Sequence, residues 1–429
     1  MPLVPPTASM DVVAADIAGV VGAANVRAAA AEDAVAGVRP GLVAEPASAA
    51  ELARALRLAA AAGLAVAPRG GGTKSAWGNP PRAADLVLST RRLDALLEHA
   101  AGDLTVTVEA GCTISRLQQA VAAAGQRLAL DPATPERATV GGVIATNDGG
   151  SLRGAFGSLR DQLIGIHVAL ADGRLARSGG KVVKNVAGYD LPKLFCGSLG
   201  TLGVVVEATF RLYPLPRETR TLRFAPADIP LSVAQMRAIL ASTLRPTGLQ
   251  LVVGSDAAPE LAVRLESGSV AALDAQQAQL CALAAPLRAA PGAAADDPWL
   301  ARERLRGRGG GGPAAVCKVT YLPGRLASLV EAVGAAAAGG WRLVAQGAGV
   351  GWLRLEATTL GALRTAILHV RQEATLRGGS LVVAESPADL APPIDAWGDP
   401  GDALPLMRRI KERFDPENVL NPGRFVGGI

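Results

Sequence analysis

The sequence predicts an α+β protein of two domains, and three features carry that prediction. Residues 38–217 alternate short apolar strands with short helices around two glycine-rich segments, the pattern of a two-lobed domain. Residues 228–385 run helix, strand, strand, helix, strand and then repeat that order, as expected of a cap domain with one antiparallel sheet covered by helices. A helical segment at 1–37 precedes these domains, and a linker, a last helix and a turn-rich tail fill 386–429.

Each element has a local reason. A strand at 42–44 leads into an Ala- and Leu-rich helix that starts after Ser48, whose hydroxyl can cap it, and ends near Ala62. Apolar runs place strands at 64–67 and 85–89; strict alternation places another at 104–109, and Thr113 caps a helix ending at Gly125. These form the first lobe. The second takes a helix at 140–146, a strand at 165–170, a hairpin turn at Asp172-Gly173, a helix at 189–195 and a strand at 203–212. Tyr213-Pro214-Leu215-Pro216 closes it. In the cap, the first copy reads as helix 231–244, strands 248–253 and 261–266, helix 270–285 and strand 315–321. The second reads as helix 325–338, strands 341–346 and 351–356, helix 360–376 and strand 381–384, before a final helix at 403–414.

The glycine segments carry the chemistry. Arg69-Gly70-Gly71-Gly72-Thr73-Lys74 leaves a buried strand, and successive glycines let backbone N–H groups turn inward as an anion-binding nest. Trp77-Gly78-Asn79-Pro80-Pro81 forbids the helix into which a Rossmann loop would run. Thr139-Val140-Gly141-Gly142-Val143-Ile144-Ala145-Thr146-Asn147 instead opens a helix, where small residues let phosphate approach and the helix dipole adds positive charge. Together they point to a dinucleotide.

Composition narrows the class. At 429 residues, 49% apolar and 19% charged, the chain is an ordered protein with room for a large core. Its net charge of +5 is small and interspersed, which argues against a nucleic-acid partner. The tract Arg302-Glu303-Arg304-Leu305-Arg306-Gly307-Arg308 and the glycines after it read as a solvated flexible loop, since the tract has no aromatic residue to stack bases. Cys112, Cys196, Cys281 and Cys317 lie far apart without C-x-x-C and read as reduced core thiols, not cluster ligands. No apolar run of 18 residues predicts a transmembrane segment, and the start lacks a signal-peptide pattern, so the expected location is cytoplasmic.

Further motifs follow in order: Lys184-Asn185-Val186-Ala187-Gly188-Tyr189-Asp190-Leu191, then Gly197-Ser198-Leu199-Gly200-Thr201-Leu202-Gly203-Val204-Val205-Val206-Glu207. Over 40–216 this set resembles the vanillyl-alcohol oxidase, or PCMH, type of FAD-binding domain. Phe414-Asp415-Pro416-Glu417-Asn418-Val419-Leu420-Asn421-Pro422-Gly423-Arg424 resembles the tail that returns to the flavin in that family. The resemblance implies FAD, with Arg69, Gly70, Gly71, Gly72, Thr73 and Lys74 cradling the pyrophosphate. It implies that Gly141, Gly142, Ala145, Thr146 and Asn147, after Thr139, line pyrophosphate and flavin, flanked by Arg153 and Gly157. Val204 and Val205 would offer backbone to the adenine end, and Asn421 would approach the isoalloxazine.

Two departures from the family matter. Many members link FAD through a histidine where Thr73 stands, so a non-covalent flavin is expected here. Related 2-hydroxy-acid dehydrogenases carry a metal-binding histidine pair in the cap, whereas His99, His167 and His369 are scattered singly, so no metal site is expected.

Residues 180–191 and the short chain resemble the FAD-binding E-subunit family of bacterial glycolate oxidases. That implies oxidation of glycolate or a related small 2-hydroxy acid in a complex with a larger FAD-containing subunit and an iron-sulfur subunit, through which the chain could meet the inner membrane. A self-sufficient FAD-dependent 2-hydroxy-acid or alcohol oxidoreductase and a non-catalytic scaffold are the alternatives. No catalytic base stands out: Lys184 and Tyr189 could touch flavin or substrate, or serve structure alone. Arg354 with Glu356 and Lys318 with Thr320 read as surface or interface pairs, Cys196 as a buried apolar residue and His369 as an ordinary helix residue.

Overall fold

The computed structural model describes residues 9–181, 188–284, 288–289, 297–307, 311–391 and 393–429. Residues 1–6, Lys184 with the rest of 182–187, Ala285, and Arg308 with Gly309 and Gly310, all used in the sequence reading, lie outside them. The chain divides into two compact units: Met1–Gly149 with Ser158–Leu215 and Asp399–Ile429, and Gly150–Gly157 with Pro216–Gly398.

In the first unit a four-stranded sheet runs in the order Val26–Ala28, Leu42–Ala44, Leu86–Ser89, Val66–Arg69, parallel except at its first pair. Its two middle strands are wholly buried, as parallel strands covered on both faces must be. The helix Ala49–Ala61 buries Leu52, Ala55, Leu56 and Ala59 against it, and Ser48 accepts from Glu51 N at 3.2 Å as its cap. The strand Val66–Arg69 runs straight into Gly70. Beside it the C-terminal tail adds a parallel bridge, with Val66 N bonded to Val419 O at 2.8 Å and Asn421 N to Val66 O at 2.9 Å.

A five-stranded antiparallel sheet follows the order Leu96–Ala100, Thr105–Glu109, Val204–Arg211, Leu163–Ala169, Leu175–Gly179. This corrects the expectation of sequential lobes, because Thr105–Glu109, assigned to the first, sits inside the sheet of the second. Alternation reveals that a strand is half buried; it does not reveal its partner. The helix Val140–Thr146 lies on this sheet, and a Cβ at Gly141 would come within 2.9 Å of Ala110 Cβ.

The second unit is one eight-stranded sheet backed by the helices Ile229–Ala241, Val270–Leu283, Leu326–Ala336 and Leu360–Leu376. Its order is Arg288–Ala289, Glu218–Ala225, Glu260–Ser267, Gly248–Gly254, Trp341–Gln346, Val350–Glu356, Ala314–Thr320, Ser380–Glu385. Two βαββαβ copies therefore meet at Gly248–Gly254 and Trp341–Gln346, where Gln250 faces Gln346 and Val252 faces Val344. The expected repeat is out of phase by one strand. Ala314–Thr320 opens the second copy instead of closing the first, and Glu218–Ala225, which falls between the two expected domains, opens the first. That strand buries only one of its eight residues and starts by alternating charge with Thr, so its apolar signal is thin.

The arginine tract is also corrected. Residues 297–307 lie against the sheet: Pro298 O accepts from Gln250 Nε2 at 2.8 Å, and Arg264 stacks on Trp299 at 4.5 Å. Buried Arg302 sits 5.3 Å from the Trp352 ring, and Arg306 pairs with Glu385 at 2.9 Å. Aromatic and acidic partners distant in sequence turn these arginines inward. Of the cysteines, Cys112 and Cys317 are buried, and burial pushes the Cys317 thiol up to about 12. Cys196 is half buried against the core of the first unit, and Cys281 is exposed on its helix, so the core reading fails for Cys281.

Candidate functional site

A cleft of about 740 Å³, partly open to solvent, lies in the first unit and is walled by both glycine segments. Arg69, Gly70, Gly71, Gly72, Thr73, Lys74, Thr139, Gly141, Gly142, Ala145, Thr146, Val204 and Val205 all line it. Ser75 and Thr90, outside the quoted motifs, and Ser198, Leu199, Gly200 and Arg424, inside motifs that gave them no individual role, complete much of the wall. Asn147 and Asn421 are not among the lining residues, although Asn147 follows the lining residue Thr146 and Asn421 bonds to the lining residue Leu199; Arg153 and Gly157 fall in the 150–157 segment of the second unit.

The glycines are required by close approach more than by handedness. Only Gly72 of the first run has a left-handed φ, +72°. A Cβ at Gly71 would lie 1.7 Å from Arg137 O, and one at Gly70 would lie 2.0 Å from Thr139 Oγ1. The loop thus lies flush against the approach to the second segment. There Thr139 Oγ1 accepts from Gly142 N at 3.4 Å, capping the helix Val140–Thr146 whose first turn borders the cleft.

Three cations border the cleft, and each is fixed by buried partners. Lys74 forms a buried pair with Asp148 at 3.2 Å, not the partly exposed charge its loop position suggests. Arg69 pairs with buried Asp33 at 2.7 Å. Arg424 reaches from the tail to donate to Trp77 O at 3.1 Å and Ser75 O at 2.8 Å; burial lowers its pKa to about 10, which leaves it charged at neutral pH. The tail is itself bolted down by buried Lys411, which donates to Thr201 O, Asp415 Oδ2 and Leu420 O at 2.9, 2.6 and 2.9 Å. Burial lowers the Lys411 pKa.

These residues fit a dinucleotide. Backbone edges, a helix N-terminus and three guanidinium or ammonium groups suit a pyrophosphate. Beside the cleft, buried Asn147 Oδ1 and Asn421 Oδ1 have no hydrogen-bond partner among the described residues, although Asn421 Nδ2 donates to Leu199 O at 2.7 Å. A buried acceptor without a partner is costly, and a ligand donor would satisfy it.

Residues 40–179 match the FAD binding domain family, and residues 399–425 match the C-terminal domain of FAD linked oxidases. The chain is an FAD-binding protein. Among its curated relatives, Glycolate oxidase subunit GlcD of Bacillus subtilis (strain 168) is 38% identical over 190 residues, 44% of this chain and 40% of that protein. The D-lactate dehydrogenase of Archaeoglobus fulgidus is 40% identical over 159 residues, 37% of this chain and 35% of its own. Glycolate oxidase subunit GlcE of Escherichia coli (strain K12) is 35% identical over 156 residues, 36% of this chain and 44% of its own. The FAD-binding chain therefore matches less than half the length of each. Two solved structures share the whole fold: p-cresol methylhydroxylase, with TM-score 0.74 at 14% identity over 96% of both chains, and 4-ethylphenol oxidase from Gulosibacter chungangensis, with TM-score 0.73 at 15% identity over 98% of both. The fold is that of PCMH-type FAD-binding proteins.

Other candidates hold structural positions. Arg354 pairs with Glu356 at 2.7 Å and donates to Leu305 O, and Lys318 stands 6.0 Å from the Trp352 ring. Thr320 and Ser380 share a hydroxyl bond at 2.8 Å. Tyr189 is 91% exposed, and His369 lies on a helix surface 3.9 Å from Glu373.

Proposed function

We propose that the cleft holds FAD without a covalent bond and that the chain serves as the FAD-binding subunit of a glycolate or related 2-hydroxy-acid oxidase complex. The cleft itself carries the cofactor part. Residues 69–75, the start of the helix Val140–Thr146 and Arg424 would hold the pyrophosphate, Val204 and Val205 would border the adenine end, and Asn147 and Asn421 would offer their unpaired oxygens to the flavin end. Bound flavin supplies two-electron redox chemistry. The chain's part is to neutralise the pyrophosphate, order the cofactor and keep water from its buried face.

Support for the subunit role comes from the two glycolate oxidase relatives and from the candidate cations of the second unit, Arg354 and Lys318, being engaged in an ion pair and a ring contact. A larger FAD-containing subunit and an iron-sulfur subunit would then be partners, and the complex would work in the cytoplasm or at the inner membrane. Among the described residues no helix is long and apolar enough to cross a membrane. The D-lactate dehydrogenase relative favours a second reading, a self-sufficient 2-hydroxy-acid oxidoreductase.

Acid precipitation should release all yellow colour into the supernatant; colour kept in the pellet overturns the non-covalent assignment. Co-expression with both candidate partner subunits should yield a complex that oxidises glycolate faster than the isolated chain. Equal turnover of glycolate or D-lactate by the isolated chain, measured with an artificial dye, replaces the subunit reading with the second one. Protein that assembles but never takes up flavin would instead be a scaffold.

A further inference from the structure

Behind the first glycine segment lies a carboxylate outside both family-matched regions. Asp33 is 1% exposed and accepts four hydrogen bonds: from Arg27 NH1 and NH2 at 2.7 and 2.9 Å, from Arg69 NH2 at 2.7 Å and from Ala30 N at 2.7 Å. These partners hold its carboxyl well below the usual carboxylate range, with the Arg27 hydrogen bond the largest cause. Arg69 lines the FAD cleft; Asp33 and Arg27 do not. A second tie follows at Ala36, whose N–H donates to Ser75 O at 3.0 Å, and Ser75 is also a lining residue. The N-terminal stretch thus grips both ends of the loop without contributing a residue to its surface.

An arginine at a cleft is long and rotamer-rich, and ordering it on binding opposes affinity. A buried, ionised carboxylate removes that freedom in advance. We infer that Asp33 is a positioning residue for FAD: it acts through Arg69, holding that guanidinium at the cleft before the cofactor arrives. The inference rests on the assignment of the cleft to FAD.

The test is titration of the apoprotein with FAD and with ADP, which carries the same pyrophosphate, for the parent chain, D33N, R69Q and D33N/R69Q. Each single change should weaken both ligands by about tenfold or more, the size of one charge-assisted hydrogen bond, and the double variant should lose no more than the worse single one. Were the carboxylate only a support of the fold, its loss would lower the melting temperature and the two changes would give independent, additive losses of affinity. If D33N does not fold, D33E carries the test, because it keeps the charge but moves it by one methylene; FAD should bind several-fold more weakly although the apoprotein stays folded. Additive losses, or parent-like FAD binding in D33N or D33E, overturn the inference. A parent chain that binds neither FAD nor ADP overturns the cofactor assignment of the cleft, and the inference with it.

Discussion

In the segment 139–147 the helix is started and stopped locally, while Val140 N and Gly141 N donate to Cys112 O and Ala110 O to seat it. Thr139 caps the helix, Thr146 Oγ1 bonds back to Gly142 O at 2.8 Å, and Asn147 ends it in the left-handed region at φ +47°. The segment 69–75, on the same cleft, has no helix and little of its own to hold it. Its ties come from Asp33 and Ala36 before it and from Thr90, Asp148 and Arg424 after it, and it packs flush against Arg137. The contrast teaches that a capped segment should tolerate the loss of one hydrogen bond, whereas a loop held from outside should fail with any of its distant partners.

Gly71→Val is the severest test of that contrast. Its side chain would overlap Arg137 O, so the loop must leave its seat, and FAD retention should vanish in gel filtration while the second unit keeps its helical signal. Gly72→Ala should do less, because its Cβ meets nothing closer than 3.8 Å and only the strain of positive φ remains, about 1–3 kcal/mol. Equal FAD affinity in the Gly71 variant and the parent would remove close approach from the account.

Lys74→Met comes next. It takes the ammonium group away from the buried Asp148 carboxylate, and urea unfolding should show a loss of about 3–5 kcal/mol. Adding Asp148→Asn should recover most of that loss. A single-variant loss below about 1 kcal/mol would mean that the pair behaves like a surface one.

Acid exposes the N-terminal tie. Asp33 has a depressed folded pKa, so its contribution is complete above its unfolded value near pH 4 and is lost as pH falls toward the folded one. Below about pH 4 the parent should therefore lose stability more steeply than D33N. Parallel curves would show that folding does not lower the Asp33 pKa.

The smallest effect belongs to the capped segment. Thr139→Ala removes one cap and should cost about 1 kcal/mol, with FAD affinity reduced only modestly, as followed by thermal melting and titration. A loss as large as that of Lys74→Met would erase the difference between the segments.

By itself the sequence determined the elements whose causes are local: the helix Val140–Thr146 with its cap, the helix Ala49–Ala61 behind Ser48, the hairpins of the second unit and the glycine runs that border the cleft. Periodicity and capping act within one turn or one strand, so they survive in a linear reading. Partners were not legible in that way. Which strands flank Thr105–Glu109, where the βαββαβ repeat begins and why Arg302 turns onto Trp352 all depend on residues far apart in the chain. The same holds for the charges of the cleft. Asp33 carries no motif, Asp148 directly continues the second glycine segment but had no role from it, and Arg424 lies 350 residues from Lys74, whose carbonyl it reaches. Only the folded chain brings these groups together, because burial gives a carboxylate a strong reason to find a cation and leaves the choice of cation to packing.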